Sequence, residues 1–229
     1  MGVERAPVHH SVSTWRQPLL PPVSARRSAI TERVAARVAS RGGVRLRVAI
    51  DGLTAAGKTS FGHELAERIS AAGRPVLRAS LDDFSGEGYY RNAFDYAAAK
   101  ALLLEPSAPH GSGRCALCSI DPLTQRDHSA VTVQAPSDAV LIVDGVFAFR
   151  PEINEHWDLR IWLDVDPELA GRRGIARDEA MEGAEAEALH RDRYVPAERL
   201  YMAEVDPVGL AQVVIDNTAF GRPRIVRLR

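Results

Sequence analysis

A ten-residue stretch constrains the fold of this chain more than any other feature. Residues 51–60 read DGLTAAGKTS and follow the apolar run 48–50. Two glycines, a lysine and a threonine have the spacing G-x-x-x-x-G-K-T of a phosphate-binding P-loop, at Gly52, Gly57, Lys58 and Thr59. The glycines let successive backbone N–H groups point into one concavity that binds anions. The stretch therefore predicts a nucleotide-binding protein.

The expected chemistry of this loop assigns its side chains. Lys58 should reach the β- and γ-phosphates, and the hydroxyl of Thr59 should bind Mg²⁺. Of the 29 basic residues only two are lysines, Lys58 and Lys100, so a lysine in the loop is unlike the rest of the composition. The candidate nucleotide-binding residues are Gly52, Ala55, Ala56, Gly57, Lys58, Thr59 and Ser60.

Length and composition favour one soluble domain that binds small molecules. A chain of 229 residues with 45% apolar content can bury a full core. A formal net charge of -1 with mixed signs gives no basic face for nucleic acid. No apolar stretch approaches the roughly 20 residues that span a bilayer, and no signal-peptide core is present, so we expect a cytoplasmic protein without membrane contacts.

The order of patterns predicts an α/β domain after a short arm. Residues 1–27 are rich in proline and lack an apolar period, which predicts a flexible arm, and residues 28–229 form the single domain. An amphipathic helix is expected over 28–40. Five core strands are predicted at 44–50, 75–80, 140–144, 159–165 and 211–215, with a further edge strand at 225–228. The cysteines of the sequence CALC, Cys115 and Cys118, are interpreted as packing residues because their spacing to the nearest histidines matches no standard zinc site.

Carboxylates follow two of these strands. In open α/β sheets ligands bind beyond the carboxyl ends of the strands, so Asp82 and Asp83 of LDDF should lie near the substrate. Successive side chains at a strand end point in opposite directions, and only one of the two can face the acceptor. The strand VLIVD ends in Asp144, which is typical of the acid that orients Mg²⁺ or its water. Thr59 and Asp144 are thus the candidate metal ligands.

Arginines mark a candidate lid over residues 167–200. Asp166 and Pro167 are typical of a helix N-terminus. Arg173 and Arg177 lie four residues apart, so both point from one helix face, where they suit a triphosphate that gains charge during transfer. In so arginine-rich a chain, solvated surface arginines are the alternative interpretation.

Together these motifs resemble the uridine kinase-like family of P-loop kinases, which includes phosphoribulokinase and bacterial pantothenate kinase. The resemblance covers residues 44–226 and is strongest to actinobacterial uridine kinase-like proteins. Its motifs are EGYYR at 87–91, FDY at 94–96, VDGVF at 143–147, WDLR and LDV within 157–165, ARD at 176–178 and RYVPAERLY at 193–201.

The resemblance implies ATP-dependent phosphorylation of a hydroxyl with Mg²⁺, on a three-layer sandwich with a doubly wound, mainly parallel five-stranded sheet and a helical lid. It assigns Asp82, two residues before Phe84, as the base, and Lys58, Arg173 and Arg177 as further catalytic residues, with Arg172 able to substitute. The acceptor-binding candidates are Asp82, Asp83, Phe84, Tyr90 and Arg91. The chain departs from the family at Ser85-Gly86, where a His or Tyr and a longer basic loop are usual, and at Asp144, which is often Glu.

Several functions remain open at this point. The leading hypothesis is a kinase of a nucleoside such as uridine or cytidine. A pantothenate-like or sugar-phosphate acceptor is the alternative, and the short loop after Phe84 leaves room for a catalytically impaired nucleotide-binding regulator. A GTPase is disfavoured, because no asparagine is followed by the lysine of an N-K-x-D motif. The oligomeric state is open, a homo-oligomer included.

Overall fold

The computed structural model describes residues 4–17, 24–86, 88 and 90–229, without the side chain of Met181. A seven-stranded sheet has the order β1-β3-β6-β2-β7-β8-β9, and a separate hairpin joins β4 and β5. The strands are β1 (Val8–His10), β2 (Leu46–Gly52), β3 (Val76–Ser80), β4 (Arg114–Ala116), β5 (Thr132–Gln134), β6 (Val140–Asp144), β7 (Leu159–Asp164), β8 (Val213–Asp216) and β9 (Arg224–Leu228).

Helices connect the strands. They are α1 (Ala25–Ala39), α2 (Lys58–Ala71), α3 (Tyr96–Ala99), α4 (Pro151–Asn154), α5 (Pro167–Glu182), α6 (Ala186–Leu189), α7 (Val195–Val205) and α8 (Pro207–Leu210). Short 3₁₀ turns occur at Leu81–Asp83, Tyr90–Asn92 and Gly183–Glu185, and π turns at Lys100–Leu104 and His190–Tyr194. Over the described parts of the chain, no helix combines the length and apolar character that crossing a membrane requires.

The sheet is parallel except at one edge, where β9 runs antiparallel to β8. All five predicted core strands are present, and β9 is the predicted further edge strand. The sheet nevertheless has seven strands rather than five, because β1 adds to the opposite edge beside β3. The doubly wound α/β architecture follows from the parallel connections through helices.

Strand β1 corrects the expectation of a loose N-terminal arm for part of residues 1–27. Val8 to His10 pair in register with Val76 to Arg78. A three-residue strand with two histidines has no apolar period that the sequence could reveal. Helix α1 also begins at Ala25, inside the predicted arm, with Ser24 as its N-cap. Residues 1–3 and 18–23 of that arm lie outside the described residues.

Two cores cover the two faces of the sheet, which makes the fold a three-layer sandwich. Along β2, Val48 and Ile50 pack on one face with residues of α1 and α2, whereas Ala49 packs on the other. Such alternation follows from the period of two in a strand. The second face also holds Cys115 of the β4–β5 hairpin, while Cys118 is buried nearby.

A buried polar chain fixes helix α1 against the P-loop. Asn217 follows β8 and donates from Nδ2 to the carbonyl of Ala56 at 2.7 Å, while its Oδ1 accepts from Nη1 of Arg27 at 2.9 Å. Arg27 also pairs with Glu64 of α2 at 2.7 Å, and its guanidinium lies 3.9 Å from the ring centroid of Phe220. Because Arg27 and Asn217 are fully buried, each hydrogen bond is protected from water.

We predict that Asn217→Ala destabilises the protein by about 3 kcal/mol. The substitution leaves the carbonyl of Ala56 and one N–H of Arg27 buried without their partner, and each such group costs roughly 1–3 kcal/mol. Urea unfolding followed by circular dichroism measures the change. The exposed Asn92→Ala serves as the control and should have little effect. Equal stabilities of the two variants would contradict the assigned role.

Candidate active site

The P-loop leaves β2 at Gly52 and enters helix α2 at Lys58. Ala55 and Gly57 both have positive φ, at 59° and 89°, which lets the loop curl back on itself. Gly57 is the N-cap of α2 and supplies no side-chain hydrogen bond to the helix. The first N–H groups of α2 and the positive end of its dipole are therefore available to an anion, as a phosphate site requires.

Asp51 anchors the base of the loop from below. Its Oδ1 accepts from the backbone N–H of Gly52 at 2.7 Å, and its Oδ2 accepts from the N–H of Phe149 at 3.2 Å and from the hydroxyl of Tyr201. Burial raises the pKa of Asp51 to about 6, although these hydrogen bonds and Lys58 oppose the shift. The carboxylate thus ties the loop to helix α7, which carries Tyr201.

Lys58 points into the site rather than into the core. Its Nζ donates to the carbonyls of Gly52 at 3.0 Å and Leu53 at 2.9 Å. Burial lowers the pKa of Lys58, while Asp51 and then Glu198 oppose this. The carboxylate of Glu198, on α7, also accepts from the backbone N–H of Thr54 at 2.5 Å. At least one N–H of the P-loop thus points towards a carboxylate oxygen, the kind of acceptor that a phosphate also offers.

The two predicted metal ligands are in contact. The hydroxyl of Thr59 donates to Oδ2 of Asp144 at 2.7 Å, and Nη2 of Arg78 donates to Oδ1 at 2.5 Å. Arg78 lies on β3, next to β6, and also donates to the carbonyl of Ile142 at 2.9 Å. Both oxygens of Asp144 are therefore oriented by partners on neighbouring elements, which fixes the carboxylate at the mouth of the P-loop.

Asp82 faces the cleft from the 3₁₀ turn that follows β3. The pKa of its carboxyl is raised by burial and by the charge of Asp144, against the opposing effect of Lys58, the hydrogen bond from Trp15 and the charge of Arg177. Nε1 of Trp15 lies 3.3 Å from Oδ2. A raised pKa makes a carboxylate in a cleft a better proton acceptor than an ordinary aspartate.

Asp83 and Phe84 do not line the cleft, which corrects their prediction as acceptor-binding residues. The carboxylate of Asp83 is buried and accepts hydrogen bonds from the hydroxyls of Ser11 and Ser13, and its carbonyl accepts from the N–H of Ser119 at 2.8 Å. Phe84 is fully buried in the core. Of the two adjacent carboxylates, Asp82 lines the cleft and Asp83 does not.

The lid arginines lie on one face of α5 and line the cleft. Nη2 of Arg173 donates to the carbonyl of Thr218 at 2.7 Å. Arg177 forms two hydrogen bonds to Asp178, at 2.6 and 3.0 Å, and Asp178 contacts buried His190 at 2.8 Å. Hydrogen bonds from Arg177 and His190 lower the pKa of Asp178 although its burial opposes this. Arg172 points outward, with its side chain 67% exposed.

One cleft of about 1080 Å³ brings most of the predicted residues together. Its walls include the predicted residues Ala55, Gly57, Lys58, Thr59, Ser60, Asp82, Tyr90, Asp144, Arg173 and Arg177. Gly52 and Ala56, the other two predicted loop residues, are buried and do not line the cleft. Tyr90 donates to Glu204 at 2.7 Å, and the exposed Arg91 pairs with the same carboxylate at 2.6 Å, outside the cleft. Glu87 and Tyr89 of the EGYYR motif lie outside the described residues.

Sequence reasoning missed four residues that shape this site, Trp15, Asp51, Arg78 and Glu198. Arg78 and Trp15 carried no signal, because one is an ordinary arginine in an arginine-rich chain and the other lies in a segment without periodicity. Asp51 directly precedes the first P-loop glycine, so its position in the motif was a usable signal. Glu198 stands in the motif RYVPAERLY, which indicated importance but not contact with the P-loop.

Comparisons with known proteins support the fold. No family model matches the chain, and no curated protein does. A protein described as a possible uridine kinase from Bacillus stearothermophilus matches with a TM-score of 0.62 and 23% identity over 80% of this chain and 96% of its own. A protein described as a putative fructose transport system kinase from Silicibacter sp. TM1040 matches with a TM-score of 0.63 and 22% identity over 77% of this chain and 93% of its own. D-glycerate 3-kinase from Cryptococcus neoformans var. grubii has a TM-score of 0.52 and 13% identity over 87% and 96%.

These neighbours carry kinase names and have uridine kinase-like P-loop folds, as the sequence motifs predict. At 13 to 23% identity they establish the fold of this chain and leave its acceptor open.

We predict that Asp83→Asn stabilises the protein at neutral pH and not in acid. Burial raises the pKa of Asp83 from 3.8 to about 6. The folded protein therefore holds this proton more tightly than the unfolded chain does, and wild type loses stability as pH rises from about 4 to about 6. The neutral amide avoids that loss, by up to roughly 3 kcal/mol at pH 7.

Thermal unfolding at pH 4 and pH 7 tests this expectation. The gain of Asp83→Asn over wild type should be several degrees at pH 7 and should shrink towards pH 4, while the exposed Glu185→Gln should show no such difference. A gain that is equal at both pH values, or a loss at pH 7, would show that burial does not penalise the charged form of the Asp83 carboxylate.

Proposed function

We propose that this protein is an ATP-dependent kinase that phosphorylates a hydroxyl of an uncharged small molecule, with a nucleoside as the leading acceptor. One observation carries the proposal. The P-loop, the Thr59–Asp144 pair, the carboxylate of Asp82 and the lid arginines all line a single cleft at the carboxyl end of the sheet. Phosphoryl transfer needs these parts, and it needs little covalent chemistry from the protein.

The chain provides a fitting site for Mg²⁺. The hydroxyl of Thr59 and the carboxylate of Asp144 are hard oxygen donors in mutual contact beside the P-loop. Arg78 holds one carboxylate oxygen of Asp144, so the other oxygen and the hydroxyl of Thr59 would hold the ion. When bound, the ion neutralises charge on the β- and γ-phosphates.

In the proposed reaction, each residue of the cleft would have a separate role. Asp82 removes the proton of the acceptor hydroxyl as its oxygen forms the new bond to the γ-phosphorus. The bond from that phosphorus to the β,γ-bridging oxygen breaks, and ADP leaves with the released charge. Lys58, Arg173 and Arg177 stabilise that charge, and closure of the lid excludes water, which would otherwise act as acceptor.

The charges of the cleft favour an uncharged acceptor. Among the described residues of the cleft wall, the cations are Lys58, Arg173 and Arg177, and all three belong to the P-loop or the lid. Towards Tyr90 the wall is aromatic and aliphatic, with Phe94, Phe147 and Leu123. The carboxylates of the wall are Asp82, Asp144, Asp178, Glu182 and Glu198. A sugar phosphate or a pantothenate-like acid would meet these carboxylates there, and the cations that the described part of the cleft wall offers all belong to the P-loop or the lid.

A turnover screen for ADP release tests the proposal. With MgATP, the panel contains uridine, cytidine, fructose, D-glycerate, pantothenate and ribulose 5-phosphate. We expect turnover with at least one uncharged member and little with the three anions. Preferred turnover of an anion would contradict the proposal that the acceptor is uncharged. ATP binding without turnover of any member would favour the nucleotide-binding regulator instead.

We predict that Lys58→Ala lowers kcat by at least about 10²-fold while the fold persists. Loss of a charge at the γ-phosphate costs several kcal/mol of transition-state stabilisation. The ammonium of Lys58 donates to the loop carbonyls of Gly52 and Leu53 and lines the cleft, so the circular dichroism spectrum should not change. Lys100→Ala, at the other lysine of the chain and outside the cleft, is the matched control and should keep wild-type turnover.

We predict that Asp82→Asn lowers kcat by about 10² to 10⁴, the usual contribution of a general base, with the KM for ATP little changed. Asp83→Asn should reduce kcat far less, because Asp83 faces Ser11 and Ser13 and not the cleft. Steady-state kinetics with the preferred acceptor compare the two isosteric variants. A larger loss at Asp83 would reverse the assignment.

A further inference from the structure

The N-terminal segment after β1 runs across the carboxyl end of the sheet. Because β1 is parallel to β3, the chain leaves it at the end where ligands bind in this class of fold. Ser11 continues the pairing by donating its N–H to the carbonyl of Arg78 at 3.1 Å. Ser11 and Ser13 then bind the buried carboxylate of Asp83. The segment is thus fixed to the same 3₁₀ turn that carries Asp82.

A second anchor holds the segment against the loop after β4. The carboxylate of Asp121 accepts from the backbone N–H of Thr14 at 2.5 Å and from its hydroxyl at 2.8 and 3.0 Å. The same carboxylate accepts from the N–H groups of Leu123 at 2.9 Å and Thr124 at 3.0 Å. One buried acid therefore joins residues 14 and 121–124 into a single wall.

Trp15, the residue after the second anchor, lines the cleft. Its indole N–H donates to Oδ2 of Asp82, at 3.3 Å. Gln17, Pro122 and Leu123 line the cleft beside it. The indole is half-buried, so part of its surface remains open to the cleft.

We propose that Trp15 is an acceptor-binding and positioning residue: its ring stacks on the flat face of an uncharged acceptor, and its N–H holds Asp82 in the orientation that receives the hydroxyl proton. This proposal rests on the proposed kinase function. An indole stacks on a nucleobase or on the C–H face of a sugar ring without requiring charge, which fits this cleft, because the cations described in its wall all belong to the P-loop or the lid. With one oxygen of Asp82 held by the indole, the other is left for the acceptor.

Kinetics of two variants separate the two roles. Trp15→Phe keeps an aromatic ring and removes the N–H, so it should lower kcat several-fold with a KM for the acceptor near that of wild type. Trp15→Leu removes the ring as well and should raise the KM for the acceptor about tenfold or more, the scale of one stacking contact. The KM for ATP should stay within about twofold of wild type in both variants, because Trp15 bonds to Asp82 and not to the P-loop.

Tryptophan fluorescence of the full chain gives a readout that does not depend on turnover. The chain has three tryptophans, and the other two, Trp157 and Trp162, are buried at 3% and 1% exposure. Titration with the uncharged panel member that is turned over best should change the emission of wild type, and Trp15→Phe should lose that change. Thermal unfolding shows whether each variant is folded. If Trp15→Leu does not fold, the fluorescence titration of the wild type still tests the proposal.

The outcomes distinguish this inference from the function on which it rests. If an acceptor is turned over but leaves the emission unchanged, and both variants keep wild-type kcat and KM, Trp15 is only a packing residue and the inference is overturned. If no panel member is turned over, the proposed function fails and the inference fails with it. Loss of the emission change together with the split between kcat and KM supports it.

Discussion

The parallel register of three central strands places the whole site. Ile50 of β2 lies opposite Asp144 of β6, and Asp144 lies opposite Ser80 of β3. The P-loop, Asp144 and the turn that carries Asp82 therefore lie at the same level of the sheet. A slip of one residue would turn Asp144 to the other face and away from Thr59. The fully buried apolar residues of β2 and β6 hold this register, so the chemistry of the cleft depends on core packing.

Helix α7 joins the nucleotide end of the cleft to its acceptor end. Glu198, Tyr201 and Glu204 recur every three residues, so they project from neighbouring positions of the helix surface. Glu198 accepts from the P-loop N–H of Thr54, Tyr201 donates to Asp51 beneath the loop, and Glu204 accepts from Tyr90. A shift of α7 would alter all three contacts together.

The sequence predicted those parts of the site whose chemistry requires a fixed local spacing. The P-loop, the strand-terminal acids and the capped helix with Arg173 and Arg177 are of this kind, and so are the five core strands. Contacts between residues distant in the chain had no such signal. Arg78 orients Asp144 only because β3 and β6 are neighbours, and Trp15 reaches Asp82 only because β1 pairs with β3. A three-residue strand is too short for periodicity to reveal.

Electrostatics gives the cleft two unlike ends. At the P-loop, positive potential comes from backbone N–H groups, from the dipole of α2 and from Lys58, the loop's single cation. Towards the acceptor, carboxylates dominate, and the charge of Asp144 adds to burial in raising the pKa of Asp82. Arg177 opposes that shift, and its position is set by Asp178 and buried His190. Because Arg177 belongs to α5, a displacement of that helix in the proposed kinase would change the charge near the leaving group and the basicity of Asp82 together. In that mechanism, lid closure and proton transfer would be coupled through one guanidinium.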